Sequence, residues 1–302
     1  MRKPFLSPRN DLVFKLLFGD ARDTSILTAF LKSVLDLPEE DYQEVLIVDP
    51  HLKGEIPDDK QGILDVKVKT SSGKLLDIEI QIVEHPQMRE RVVFYLARMV
   101  TEQIARGEDY QKIKRSISIL ITDYVQIPEN QSYRNCYRLH DRKTGSEFTD
   151  LLEVNTLELP KLPQEEDGTA LWEWLGFLKA RQEEELMRLA EKNPQLKKAV
   201  TRLVELSEDE QTRLLAESRE KLQRDIAARE HAAEEKGLEK GLEKGLERGR
   251  EEGREEGREE GREEGRGETQ LAIARRLLGL GLSVDEIVRA TELSPESIRT
   301  LH

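Results

Sequence analysis

Asp65, Asp77 and Glu79 are the acids of this chain whose spacing could build a metal-assisted hydrolytic site. They lie in ILDVKVKTSSGKLLDIEIQIV, residues 63–83. There Leu64, Val66 and Val68 alternate with Asp65, Lys67 and Lys69, and after a Thr-Ser-Ser-Gly turn Leu76, Ile78, Ile80 and Ile82 alternate with Asp77, Glu79 and Gln81. Period-two alternation on both sides of a polar, Gly-containing turn predicts a β-hairpin. Successive side chains of a strand point to opposite faces, so Asp65, Asp77, Glu79 and Gln81 can share one face while the aliphatics bury the other. Carboxylates from two adjacent strands then converge, and such hard oxygen donors suit Mg²⁺. In phosphodiester hydrolysis a cation of this kind activates water and neutralises the charge that develops in the transition state. The same alternation also describes a hairpin with a solvated polar face, which requires no chemistry.

Other elements must position that hairpin. In residues 7–37, Leu12, Leu16 and Leu17, and then Ile26, Leu27, Phe30, Leu31, Val34 and Leu35, recur at helical spacing, with Gly19 breaking the two runs. Asn10 or Asp11 can cap the first helix and Thr24 or Ser25 the second, although Asp11 could instead face the hairpin acids. Glu44–Leu52 reads as a short strand. The polar loop after it carries Glu55, Asp58 and Asp59, which serve solvation or support a metal. Beyond the hairpin, Pro86 suits the first turn of a helix whose stripe is Met88, Val92, Tyr95, Leu96, Met99, Val100, Gln103 and Ile104, ending before Gly107. Arg89 and Arg91 stand in its early turns, where they either meet a phosphate or form surface pairs with Glu84 and Glu90. Ser116–Tyr124 then reads as a buried strand.

The segments NDLVFKLLFGD, LDVKVKTSSGKLLDIEIQ, MRERVVFYLARM and GEDY followed by a strand, in that order, resemble the recombination-promoting nuclease family. These are transposase-like proteins of the PD-(D/E)XK superfamily. The resemblance covers roughly residues 7–180, including NTLELPKL and LWEWLGFL. It implies an α/β, restriction-endonuclease-like core of helix, three strands, helix and strand, followed by an α-helical C-terminal region. It further implies that Asp65 and Glu79 ligate Mg²⁺, or Mn²⁺ in its place, with the backbone carbonyl of Ile80 as a further ligand. On the same resemblance Gln81 would complete the catalytic set and DNA would be the substrate, cut in support of recombination or transposition, while Arg91 and Arg89 are candidates for substrate contact by their position alone. Two positions depart from the wider superfamily: Leu64 stands where it has proline, and Gln81 where it has lysine. Glutamine donates a hydrogen bond but brings no positive charge to steady a phosphate or water. Asp77 either holds a second metal or a ligand's water, or is simply an exposed strand residue.

Residues 130–159 predict two further strands around a turn at Asp141–Gly145. Tyr133, Arg134, Tyr137, Arg138, His140, Arg142 and Lys143 interleave aromatic and basic groups, as on a DNA-facing surface or on a sheet edge protected by charge. From Trp172 the chain is helical and highly charged, divided near Asn193-Pro194 and Ser207. Glycine then recurs every four residues from Gly237 to Gly265, first as GLEK and later as GREE. Each glycine costs about 1 kcal/mol in a helix relative to alanine. The repeat therefore reads as a spacer or marginal helix, with self-association through the tail as the alternative. In the last segment Ser283 and Ser294 suit helix caps, and the spacing resembles a helix-turn-helix, with Glu292 at the turn position that favours glycine. A small bundle for protein contact and a DNA reader both fit. The expected division is 1–165 nuclease-like domain, 166–236 charged helical region, 237–267 repeat and 268–302 helical end.

Composition narrows the function classes. With 37% hydrophobic and 36% charged residues among 302, a large share of the chain cannot be core. A net charge of −13 argues against coating nucleic acid by bulk electrostatics, so a DNA contact needs a local basic patch. The single cysteine, Cys136, excludes a disulfide framework and a cysteine metal cage. With no signal-peptide pattern and no membrane-length apolar run, a soluble cytoplasmic protein is expected. A homo-oligomer, as a dimer through the helical tail, would allow both DNA strands to be cut. A non-catalytic binding or scaffold protein that retains the nuclease fold is the competing reading.

Overall fold

The computed structural model describes residues 5–48, 65–85 and 87–301. Leu64, the loop acids Glu55, Asp58 and Asp59, Pro86 and the end of the first expected strand, residues 49–52, lie outside the described residues.

Two helices come first, α1 (Asp11–Phe18) and α2 (Ser25–Val34). Asn10, not Asp11, caps α1: its side chain accepts from the Leu12 and Val13 amides. Three strands follow, β1 (Leu46–Val48), β2 (Val66–Lys69) and β3 (Leu75–Gln81), then helix α3 (Met88–Thr101) and strand β4 (Ser116–Thr122). The helix α3 stops six residues before Gly107. Gln103, expected on its stripe, instead uses its amide to bond the Lys114 carbonyl at 2.9 Å and the Ser116 hydroxyl at 3.0 Å, fastening the start of β4. The hairpin β5 (Arg134–His140) and β6 (Glu147–Glu158) completes a six-stranded sheet of order β1-β2-β3-β4-β6-β5. β3, β4 and β6 run parallel, and the other pairings are antiparallel.

Central parallel strands are covered on both faces, and here each face has a different cover. Val66, Val68, Leu76, Ile78, Ile80, Ile117, Ile119 and Ile121 join the main core with α1 and α2. That core continues into α4 (Ala170–Lys179), α5 (Glu183–Lys192) and α6 (Pro194–Glu208). Phe14, Phe18, Phe30, Trp174 and Phe177 form its aromatic centre, with ring centroids 4.6 to 6.1 Å apart. On the opposite face α3 lays Met88, Val92, Leu96 and Met99 over Leu75, Leu120, Leu152 and Val154.

The hairpin turn is held from outside. Buried Asp41 accepts from Thr70 Oγ1 at 2.9 Å, from Lys74 Nζ at 2.5 Å and from Ser72 Oγ. Gly73 takes φ +87°, a left-handed value that favours glycine. β5 is an edge strand. Its Arg138 pairs with Glu153 and Glu147, and Arg134 donates to the Val34 carbonyl, so these basic groups serve the edge.

The last long helix, α7, spans Glu210–Gly279 and carries the glycine repeat in helical form; the division between two compact units falls within it, at Ala227/Ala228. A Cβ added at any glycine of the repeat would meet nothing within 4 Å, so no close packing among the described residues requires them. In the second unit α8 (Val284–Thr291) and α9 (Pro295–Arg299) pack with the end of α7 through Ala274, Ile287 and Ile298. Ser283 and Ser294 are the caps, and Glu292 does take the left-handed turn, at φ +60°. Among the described residues no helix is long and apolar enough to cross a membrane.

Trp174 is 1% exposed at the meeting point of three phenylalanines. Trp174→Ala is expected to destabilise the chain by about 3–5 kcal/mol in urea unfolding. A cost below about 1 kcal/mol would contradict a single core joining α1, α2 and α4.

Candidate active site

The site is built where β2 begins and β3 ends. Val66 pairs with Ile78 and Lys67 with Asp77, so continuing the register by one residue sets Asp65, at a bend before β2, opposite Glu79. The Asp65 carboxylate holds that position with both oxygens: Oδ2 accepts from the Ile80 amide at 3.0 Å, and Oδ1 lies 3.1 Å from Lys15 Nζ. In an antiparallel ladder the N–H and C=O of one residue point to the same neighbour, so the Ile80 carbonyl also opens toward Asp65. β3 thus delivers an acid side chain and a main-chain oxygen to one corner.

Glu79 is 1% exposed and Asp77 2%. The solvated-face reading of the hairpin, and with it the exposed reading of Asp77, is therefore corrected. Alternation correctly assigns these acids to the face away from the main core, but α3 covers that face. Glu79 Oε1 lies 3.1 Å from an Arg91 terminal nitrogen, and the Arg91 guanidinium sits 5.3 Å from the centre of the Tyr95 ring. Glu79 Oε2 and Asp77 Oδ1 are buried with no hydrogen-bond partner among the described residues. Such orphaned acceptors cost free energy unless something donates to them or binds them. Lys67 faces Asp77 in register, but its ammonium is committed to Glu102 at 3.1 Å.

Burial dominates the electrostatics. It pushes the Glu79 carboxyl up to about 7 against the opposing pull of Arg91, with Asp65 adding to the rise. It also raises Asp77 well above the ordinary carboxylate range, with Glu79 and Asp65 repelling its charge. Asp65 is raised by burial too, in spite of Lys15. Three acids that resist ionisation together form a place where added positive charge is strongly favoured.

The remaining expected residues stand around this corner. Gln81 is half-buried at the carboxyl end of β3, and its carbonyl accepts from the Asp123 amide at 3.0 Å. Arg91 reaches the acids. Arg89 points elsewhere, donating to the Gln126 carbonyl at 2.7 Å and lying 3.8 Å from Glu129. The sequence reading passed over Lys15. Its one signal was that it is the only basic residue of α1, DLVFKLLF, in a run otherwise apolar after Asp11.

Among the described residues no three His, Cys, Asp or Glu side chains gather as a complete cation cage. Mg²⁺ does not demand one, since it is commonly held by one or two carboxylates together with waters and substrate phosphate oxygens. The two orphaned carboxylate oxygens, and a donor set made only of oxygen, fit such an ion.

In the unfolded chain Glu79 returns to an ordinary carboxyl, so between about pH 4.5 and pH 7 the folded state binds the extra proton. Its contribution to stability is complete below that interval and falls as pH rises through it. In chelator, the unfolding free energy of the wild type relative to the non-titrating Glu79→Gln should decline between about pH 5 and pH 8. A difference that stays constant with pH would contradict the burial of this acid.

No curated protein sequence and no solved structure matches the chain. The family model described as PD-(D/E)XK nuclease family transposase matches residues 8–233, well over half of the sequence, and takes in the two helices, the hairpin, α3 and the rest of the sheet. The order of elements and the mixed six-stranded sheet agree with that match, and the chain belongs to the PD-(D/E)XK nuclease family transposases.

Proposed function

We propose that this protein is a metal-dependent DNA endonuclease that hydrolyses phosphodiester bonds at the corner formed by Asp65 and Glu79. The observation that carries this reading is the burial of Glu79 with one carboxylate oxygen unpaired among the described residues, opposite Asp65 just before the neighbouring strand. Buried acids are as a rule fully paired, so a buried carboxylate oxygen without a partner among the described residues calls for a water, an ion or a ligand.

Asp65, Glu79 and the Ile80 carbonyl would hold Mg²⁺, with Mn²⁺ as a working substitute. When bound, the ion would supply Lewis-acid activation of water and neutralise charge on the phosphate. The chain's own groups do the rest. The Ile80 amide fixes the Asp65 carboxylate in place. Arg91 steadies Glu79 and, 35% exposed, can extend a donor to a phosphate oxygen. Gln81 orients water or phosphate through its side-chain amide, and Met88 and Val92 of α3 keep bulk water from the inner side of the site. Arg89 would join substrate contact by giving up its bond to Gln126. Cuts made this way are of the kind that DNA recombination or transposition consumes. A dimer through α7, whose Leu238, Leu242 and Leu246 are exposed, would place two such sites on one duplex. With its single cysteine exposed, the protein suits the reducing cytoplasm.

One observation favours the competing reading of a non-catalytic scaffold: Lys15 and Arg91 already neutralise Asp65 and Glu79, so the fold can persist without an added ion. Nicking of supercoiled plasmid in Mg²⁺ or Mn²⁺ separates the two. The wild type should nick, while Asp65→Ala, Glu79→Ala and chelator each lower the rate by about a hundredfold or more. Equal cutting by all three proteins would be contamination and would contradict the site. No cutting, with no ion taken up in calorimetry, would leave the scaffold.

A further inference from the structure

Gln81 leaves β3 without the lysine that the wider superfamily places there, yet a phosphate diester brought beside Asp65, Asp77 and Glu79 adds negative charge to a site that already resists it. Beside the ion and Arg91, a further cation from another element can stand in for that lysine. We propose that Lys15 supplies it: the ammonium on α1 faces the scissile phosphate of a bound DNA strand and takes over the charge role absent at Gln81. This rests on the nuclease reading above.

Three observations single out Lys15. Its Nζ lies 3.1 Å from Asp65 Oδ1, so it is already at the corner where the acids converge. Its side chain is 30% exposed, and an ammonium has three donors, of which Asp65 engages one; the others can turn toward solvent and hence toward a substrate oxygen. Its backbone is rigidly placed, because Phe14 and Phe18 on either side of it in α1 are buried in the aromatic core. Arg219 of α7 also holds Asp11, one turn before it, at 2.8 Å. The other two cations near the acids stand differently. Lys67 is 7% exposed and bonded to Glu102, and Arg91, already given a phosphate contact above, lies on the Glu79 side of the corner rather than at Asp65. During attack Lys15 would keep its proton and donate a hydrogen bond to a non-bridging phosphate oxygen, so the step needs no proton from it.

Lys15→Met removes the charge and keeps the stem, Lys15→Arg keeps a charge, and Lys15→Met combined with Gln81→Lys returns an ammonium on β3. Each would be assayed for plasmid cleavage in Mn²⁺. Each would also be assayed for binding of a short duplex in Ca²⁺ across a salt series, by anisotropy. Lys15→Met is expected to cleave about a hundredfold more slowly and to lower the slope of log affinity against log salt by about one, Lys15→Arg to retain part of the rate, and the double variant to recover at least about tenfold. Should Lys15→Met fail to fold, Lys15→Gln, which still donates to Asp65, takes its place. Cleavage within about twofold of wild type, or a lost rate that Gln81→Lys does not recover while the salt slope is unchanged, would overturn the proposal. A wild type that does not cleave, with a slope still lowered by Lys15→Met, would overturn the nuclease reading and leave the phosphate contact standing.

Discussion

The cost of removing carboxylates from water is the constraint on which this molecule turns. An isolated buried carboxylate is tolerated only if it takes up a proton, finds a cation, or accepts several hydrogen bonds. β3 places Asp77 and Glu79 on the inner side of α3, and Asp65 stands beside them just before β2, so three such groups compete for the same remedies. Lys15 and the Ile80 amide answer Asp65, whereas Arg91 answers Glu79 only in part, and among the described residues one oxygen each of Glu79 and Asp77 stays unpaired. The helices that carry those two cations approach the hairpin from opposite faces of the sheet, which makes the corner a product of the whole sandwich rather than of the hairpin.

That arrangement explains why the surrounding fold is so well braced. The turn of the hairpin is pinned by Asp41, the start of β4 by Gln103, and α1 by an aromatic cluster and by Arg219 from α7. Without that bracing, the strands could relax to let water reach the acids, and the raised proton affinity of Glu79 would vanish. A site that favours incoming positive charge is thus maintained by apolar packing some distance away. Its readiness for a cation is a property of the core.

Much of this was legible from the residues. The hairpin, the helix after it and the buried β4 follow from period-two and helical patterning, and Gly73, Ser283, Ser294 and Glu292 stand in the turn and cap positions assigned to them. Alternation told which face the acids occupy. It could not tell that α3 would cover that face, because a strand pattern records side and not cover, and so Asp77 could be read as exposed. Lys15 was hidden for a related reason: its meeting with Asp65 joins residues fifty apart, and no local spacing encodes it. The glycine repeat was the opposite case. Its propensity argues for a marginal helix, whereas the structure carries α7 straight through it without any packing that needs glycine.

The central claim is that the corner between β2 and β3 is built to receive a divalent cation. Anomalous diffraction from crystals grown with Mn²⁺ and a short duplex would address it directly. The expected result is a peak within coordination distance of the Asp65 and Glu79 carboxylates and the Ile80 carbonyl, lost in Glu79→Ala crystals. Ordered duplex with no peak at that corner, or peaks only at other acids on the surface, would contradict it.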